Sequence, residues 1–231
     1  MARTLTLADL YLQLLRAYGP QGWWPLHLSG AGYHPQHFEL PQTDLERLEI
    51  ALGAVLTQNT AWNNVEKALT GLKEAGFFGL EQIAIADPQS LGLAIKPAGY
   101  FNQKARYLIN LAQFFITQPF TQLRTLPMVE ARGLLLKVTG IGEETADSIL
   151  LYALGQPSFV IDTYTRRILG NLGLCDPKVP YHKLQALFHK QLEPDVNLFQ
   201  EYHALLVAHA KTFYRKKPYP SLDPVLTASY T

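Results

Sequence analysis

The fold is decided by Leu135–Leu169, LLKVTGIGEETADSILLYALGQPSFVIDTYTRRIL. Val138-Thr139-Gly140-Ile141-Gly142 falls between two helical patterns, with glycine where the backbone must bend or touch a neighbour. From Glu143 to Leu154, Ala146, Ile149, Leu150 and Ala153 recur at i, i+3, i+4 and i+7, which predicts a helix with one inward face. Gly155 and Pro157 close it. Phe159-Val160-Ile161 then leads to Asp162 at the start of a further helix, Thr163 to Leu169. A helix opening directly after Gly-Ile-Gly presents bare N–H groups and the positive end of its dipole, which suits a phosphate oxygen. The same residues suit a packing corner in which the glycines only permit close contact. Asp162 is equally open to two readings, an N-cap or a carboxylate placed for chemistry.

Outward from this stretch every element that can be placed is helical. Leu7, Leu10, Leu14 and Ala17 mark a first helix over residues 5 to 17, stopped by Gly19-Pro20. A loop rich in Gly, Pro and His holds Trp23 and Trp24, rings that suit either a core cap or a wall for a flat ligand. Thr43 or Asp44 caps a helix to Leu56, with Leu45, Leu48, Leu52 and Val55 inward. Thr57-Gln58-Asn59-Thr60 follows as a polar plug, able to wedge into a base stack or to satisfy helix-end carbonyls. Further helices are expected from Asn63, around Glu81 to Ala86, and from Asn102 to Pro119. In the last of these Ala105, Leu108, Ile109 and Ala112 face in, and Gln103, Lys104 and Arg106 face out. Pro127 to Val138, Tyr181 to Leu192 and Asn197 to Tyr214 complete an all-α reading.

At 231 residues the chain can bury a full core, and 48% hydrophobic with 17% charged residues excludes an extended disordered protein. No apolar run reaches a membrane-spanning length and no signal peptide is read. Cys175 is the only cysteine, so a disulfide within the chain is impossible and a cytoplasmic location is the simpler expectation. A net charge of +1 argues against a strongly basic nucleic-acid protein without excluding DNA, because placement counts for more than the sum. Lys211, Arg215, Lys216 and Lys217 form one cluster, and Arg166 and Arg167 follow Asp162. The seven histidines include no spacing for a metal, and none is expected.

The Gly-Ile-Gly-x-x-Thr-Ala turn with Val-Ile-Asp-Thr, the run Leu52-Gly-Ala-Val-Leu-Thr-Gln-Asn-Thr60 and Pro97-Ala-Gly-Tyr-Phe-Asn-Gln-Lys-Ala105 resemble, in order and spacing, the endonuclease III superfamily of helix-hairpin-helix DNA glycosylases. The likeness spans residues 20 to 217. Trp23-Trp24-Pro25 and Leu-Thr-Gln-Asn-Thr most resemble its 3-methyladenine branch, which lacks an iron–sulfur cluster. The resemblance implies a two-lobed all-α fold with its active site in the interlobe cleft. One six-helix lobe would span residues 44–158 with the hairpin at 129–154. The other would join 1–43 to 159–231.

It also implies roles. Asp162 would be catalytic, stabilising positive charge on the sugar as the base leaves. Gln58 and Asn59 would enter the DNA. Thr139, Gly140, Ile141, Gly142 and Thr145 would hold a phosphate, and Trp24, Trp62 and Lys211 would line the base pocket, with a cationic base lying between the two indole faces. Members that also cut the strand carry a lysine where this chain has Glu144, so a monofunctional enzyme without AP-lyase activity is expected. The four cluster cysteines would fall near Phe213, Pro220, Asp223 and Ser229, so no cluster is expected and packing must hold the tail. A monovalent cation on the carbonyls of residues 138 to 142 is the one cofactor the resemblance allows. The expected partner is double-stranded DNA with a damaged base, bound by a monomer with no membrane involved. The alternatives are a glycosylase for mismatched uracil or thymine or an oxidised base, and a DNA-binding protein that kept the hairpin and lost its chemistry.

Overall fold

The computed structural model describes residues 5–226, and Ser229 lies outside them. Twelve α-helices appear among the described residues: α1 Leu7–Tyr18, α2 Asp44–Leu56, α3 Trp62–Glu74, α4 Leu80–Ala84, α5 Pro88–Ala94, α6 Phe101–Thr117, α7 Phe120–Leu123, α8 Met128–Leu135, α9 Glu143–Ser148, α10 Thr163–Asn171, α11 Tyr181–Gln191 and α12 Val196–Phe213. A 3₁₀ turn at Lys96–Ala98 precedes α6, and a π-helical segment, Ile149–Ala153, continues α9. The only sheet-like pairing among the described residues is an isolated antiparallel bridge between Leu26 and Gly32. The all-α expectation holds.

Two compact units form. The first comprises Met1–Trp23, Tyr33–Phe38 and Pro157–Thr231; the second comprises Trp24–Gly32 and Glu39–Gln156. The expected boundary put all of residues 1–43 with the C-terminal half. The structure instead gives Trp24–Gly32 and residues 39–43 to the second unit. There Trp24 lies against Gly53, and the Leu28 N–H donates to Glu49 at 2.9 Å.

In the second unit α2 is the central element, buried from Arg47 to Leu56 and packed by α3, α6, α9 and the π segment. Thr43 caps it, with Glu46 answering in a reciprocal capping box. Leu45, expected inward, is 51% exposed because it lies in the first turn, ahead of where packing begins. In α3, Val65, Ala68, Leu69 and Leu72 are buried as their spacing requires. Helix α5 was not anticipated. Asp87 caps it with Pro88 at its first position, a start signal hidden behind an Asp-Pro pair that reads as a break. The helix after the Gly140–Gly142 turn has no exposed face beyond its first residues: every residue from Thr145 to Leu154 is buried.

In the first unit α12 packs on α1 and α10, and α1 also meets α11. Leu7, Leu10 and Leu14 are buried, whereas Ala17 is exposed in the last turn of α1. The tail is not held by packing alone. Asp223 Oδ2 accepts from Tyr214 at 2.5 Å and meets His209 Nε2 at 2.9 Å, and Oδ1 accepts the N–H groups of Val225 and Leu226. Tyr18 joins the knot through His209 Nδ1 at 2.8 Å, and Asn171 donates to Tyr214.

Candidate functional site

In the first unit the approach to Asp162 is built from apolar residues. Phe159, Val160 and Ile161 are buried, with Phe159 stacked on Phe188 at 3.8 Å and edge-on to Phe199 and Tyr202. Their extended backbone is satisfied by side chains of α11. The Phe159 N–H donates to His189 Nε2, the Ile161 N–H to Tyr181, and Gln185 donates to the Phe159 carbonyl. This support is what sets Asp162 at the N-cap of α10.

Asp162 Oδ1 accepts from the Thr165 N–H at 2.7 Å and from the Thr165 hydroxyl at 2.8 Å. The carboxylate is therefore an N-cap, and the second reading is not displaced by the first, because a cap needs one oxygen. Oδ2 faces His203 Nε2 of α12 at 3.9 Å, too far for a hydrogen bond. Burial holds the His203 pKa below that of free imidazole, against the opposing pull of the Asp162 charge, so the ring is neutral at pH 7. Nothing in the sequence pattern assigns His203 a role, because no periodic signal marks a histidine that faces a carboxylate from another helix. Neither arginine after Asp162 is a free surface charge. Arg166 donates to the Val179 carbonyl and Arg167 to that of Tyr214.

Also in this unit, buried Glu201 accepts the Gln21 N–H at 2.7 Å and so fixes the chain entering Trp23. Lys211 is exposed, its ammonium 5.6 Å from the centre of the Trp23 ring.

The hairpin belongs to the second unit. Arg132 of α8 binds Asp147 of α9 through two donors, at 2.8 and 3.0 Å, and reaches Glu143 at 3.5 Å. The two glycines of the turn do different work. Gly140 has φ +99, and a Cβ there would sit 2.2 Å from the Tyr107 ring. Gly142 is exposed, and a Cβ there would meet nothing within 4 Å. The packing reading thus holds for Gly140, and the open approach is at Gly142.

Of the other expected phosphate residues, Thr139 is exposed, Ile141 is buried at 5%, and Thr145 is buried. The Thr145 hydroxyl accepts from Gln58 Nε2 at 3.0 Å, and the same amide donates to the Gly140 carbonyl at 3.2 Å. Gln58 is therefore a strut between the end of α2 and the hairpin. Asn59 beside it is exposed in left-handed backbone, φ +55. Tyr100, which the sequence reading passed over, is 69% exposed with φ +46. A bulky residue at positive φ right after Gly99 is legible only once the backbone is known.

The two pocket tryptophans touch each other. Trp24 is 4% exposed, edge-on to Trp62 with ring centres 5.4 Å apart and tilted against Tyr152 at 5.3 Å. Rings in edge-to-face contact leave no slot, so the expected sandwich of a base between two indole faces does not exist in this arrangement. Trp62 is half-buried, its Nε1 donating to Glu66 at 3.0 Å. Trp24 acts as its buttress.

Phe213 and Pro220 offer no thiolate, Asp223 is committed to His209 and Tyr214, and Cys175 is half-buried and lies well before them in the chain. An iron–sulfur cluster does not fit this tail. The hairpin carbonyls of Val138, Thr139 and Gly140 already accept from Ile141, Asn110 and Gln58, which leaves each one lone pair for a cation. No cluster of three or more His, Cys, Asp or Glu suited to a metal occurs among the described residues. No described helix is long and apolar enough to cross a membrane.

Residues 52–194 match the profile of the HhH-GPD superfamily base excision DNA repair proteins. Across 213 residues the chain is 38% identical to the Methanocaldococcus jannaschii protein named "Putative DNA repair glycosylase MJ1434", covering 90% of this chain and 88% of that one. A crystal structure of Helicobacter pylori 3-methyladenine DNA glycosylase (MagIII) bound to 1,N6-ethenoadenine superposes with a TM-score of 0.70 at 29% identity, over 90% of this chain and 98% of that one. A non-covalent endonuclease III–DNA complex superposes at 0.72 with 19% identity, over 98% and 96%, and shares the fold.

Proposed function

The chain belongs to the HhH-GPD superfamily of base excision DNA repair proteins, and we propose that it is a monofunctional DNA N-glycosylase that releases an alkylated base, 3-methyladenine first, by hydrolysis assisted by Asp162. The observation that carries this reading is the Asp162 carboxylate, nine-tenths buried, pinned through Oδ1 and facing a neutral imidazole through Oδ2. Positive charge grows on the sugar as the glycosidic bond breaks, and a fixed carboxylate in a shielded place stabilises it far better than water does. Water then adds at C1′ and gives up its proton, leaving an abasic site and the free base.

The hairpin supports backbone contact with DNA through Thr139 and the open approach at Gly142, while Asn59 supplies the wedge. Glu144, exposed where strand-cutting relatives have lysine, cannot form an imine, so the reaction stops at the abasic site. The preference for an alkylated base rests on the likeness to the 3-methyladenine enzyme and on the face of Trp62. Stacking a cationic base on that face contributes on the order of 0.5–2 kcal/mol beyond what a neutral base gains.

The deciding experiment is incubation of the protein with methylated duplex DNA and chromatography of the released bases. Free 3-methyladenine is expected, with no strand scission, no borohydride-trapped adduct and no bound iron. Faster release of uracil opposite guanine, or of 8-oxoguanine, would overturn the substrate assignment. Release of no base from any of the three duplexes would leave a DNA-binding protein without chemistry.

A further inference from the structure

Lys104 was expected on the outer side of α6. It is 2% exposed, and its ammonium donates to the Leu56 carbonyl at 2.7 Å and the Ala98 carbonyl at 2.9 Å. These carbonyls end two separate elements, α2 and the 3₁₀ turn before α6. One nitrogen therefore joins two chain ends that neither main-chain pairing nor a hydrocarbon side chain would join.

Beyond each of these ends the backbone takes the same uncommon turn. Asn59 comes three residues after Leu56, and Tyr100 two residues after Ala98. Both are exposed, and both have left-handed backbone without being glycine, φ +55 and +46. Asparagine adopts this conformation readily, whereas at Tyr100 it persists only where the surroundings hold it. Burying an ammonium is expensive, and desolvation alone lowers the Lys104 pKa to about 8. Charged side chains on the elements it joins include Glu49 on α2, Lys96 in the turn and Arg106 on α6 itself. A cost of this kind is retained where three rotatable donors at the end of a long stem are needed.

We propose that Lys104 is a positioning residue for DNA engagement, a latch that presents Asn59 and Tyr100 from one rigid base to the stack around the extruded nucleotide. The latch rests on the glycosylase reading. Charge assistance matters to it, since a neutral amine makes hydrogen bonds roughly half as strong.

The test uses the whole protein and a duplex with an abasic-site analogue opposite 2-aminopurine, whose fluorescence reports wedging of the stack. Affinity for an undamaged duplex is measured in parallel. In Lys104→Met the fluorescence change at saturation should fall by about tenfold, as expected when a reacting geometry loosens. Affinity for undamaged DNA should stay within about twofold, because backbone contacts position the duplex independently. In wild type the change at pH 9 should be about half that at pH 7, and Lys104→Met should show no such dependence. A retained signal in the variant, or a wild-type signal flat across this range, overturns the latch. If the variant fails to fold by circular dichroism, the wild-type pH arm decides by itself. A wild type that binds the duplex with no fluorescence change also overturns the latch, whereas a wild type that releases no base in the excision assay refutes the glycosylase reading, and the latch falls with it.

Discussion

Asp162 and Asp223 lie in one unit and use one device, a carboxylate oxygen accepting N–H groups of the chain just after it, yet they end in opposite conditions. Asp223 is fully engaged. Its second oxygen meets His209 and Tyr214, and these bonds outweigh the cost of burial and hold its pKa at about 2. Asp162 commits one oxygen to Thr165 and keeps the other facing His203 beyond hydrogen-bond range. A carboxylate saturated with donors is spent on structure, whereas one with an unsaturated oxygen can still respond to charge that appears during a reaction. The two glycines of the hairpin repeat the contrast. Gly140 is used up against Tyr107 and Gly142 is left open.

The sharpest way to break this comparison is to remove the Asp162 charge. Asp162→Asn should cut single-turnover base release by about 10²–10³-fold or more, the scale of losing one transition-state stabiliser. DNA affinity should be unchanged or higher. A near wild-type rate would reduce Asp162 to a helix cap.

The glycine pair comes next. Gly140→Ala should destabilise the protein by about 3 kcal/mol, from positive φ together with the clash against Tyr107. Gly142→Ala should be nearly neutral in the same urea titration. Gly142→Asp should weaken binding to all duplex sequences alike at matched salt. Equal stabilities for the two alanine variants would erase the distinction.

Asp223→Asn should cost about 2 kcal/mol of stability at neutral pH, the scale set by a carboxyl at about 2 in the fold against 3.8 unfolded. Because the folded pKa is depressed, this stabilisation is present above pH 3.8 and is lost as pH falls through 2. The difference in urea midpoint between wild type and variant should hold steady from pH 7 to 5 and shrink toward zero in acid. A difference that grows in acid would contradict the sign.

The smallest effect is expected at the indole. Trp62→Ala should slow release of 3-methyladenine by about threefold to thirtyfold more than release of uracil, as loss of one cation–π face predicts. Equal loss on both substrates would make Trp62 a packing residue like Trp24.

Several features were legible in the amino-acid sequence because they rest on local physics. Thr43 caps α2, and Val65, Ala68, Leu69 and Leu72 point inward, through side-chain reach and 3.6-residue periodicity alone. The turn at Gly140–Gly142 and the start of α10 at Asp162 follow from glycine freedom and cap chemistry in the same way. Tertiary structure decided which of two locally equivalent groups is occupied. Lys104 adjoins the buried stripe of α6, and a four-carbon stem carries its charge inward once α2 and the 96–98 turn offer carbonyls. Gln58 and Asn59 are alike as amides, but only Gln58 lies within reach of Gly140 and Thr145, 82 and 87 residues away in the chain. Local pattern thus sets where a polar group can stand, while its partner, and with it the choice between strut and working surface, comes from residues that only folding brings near.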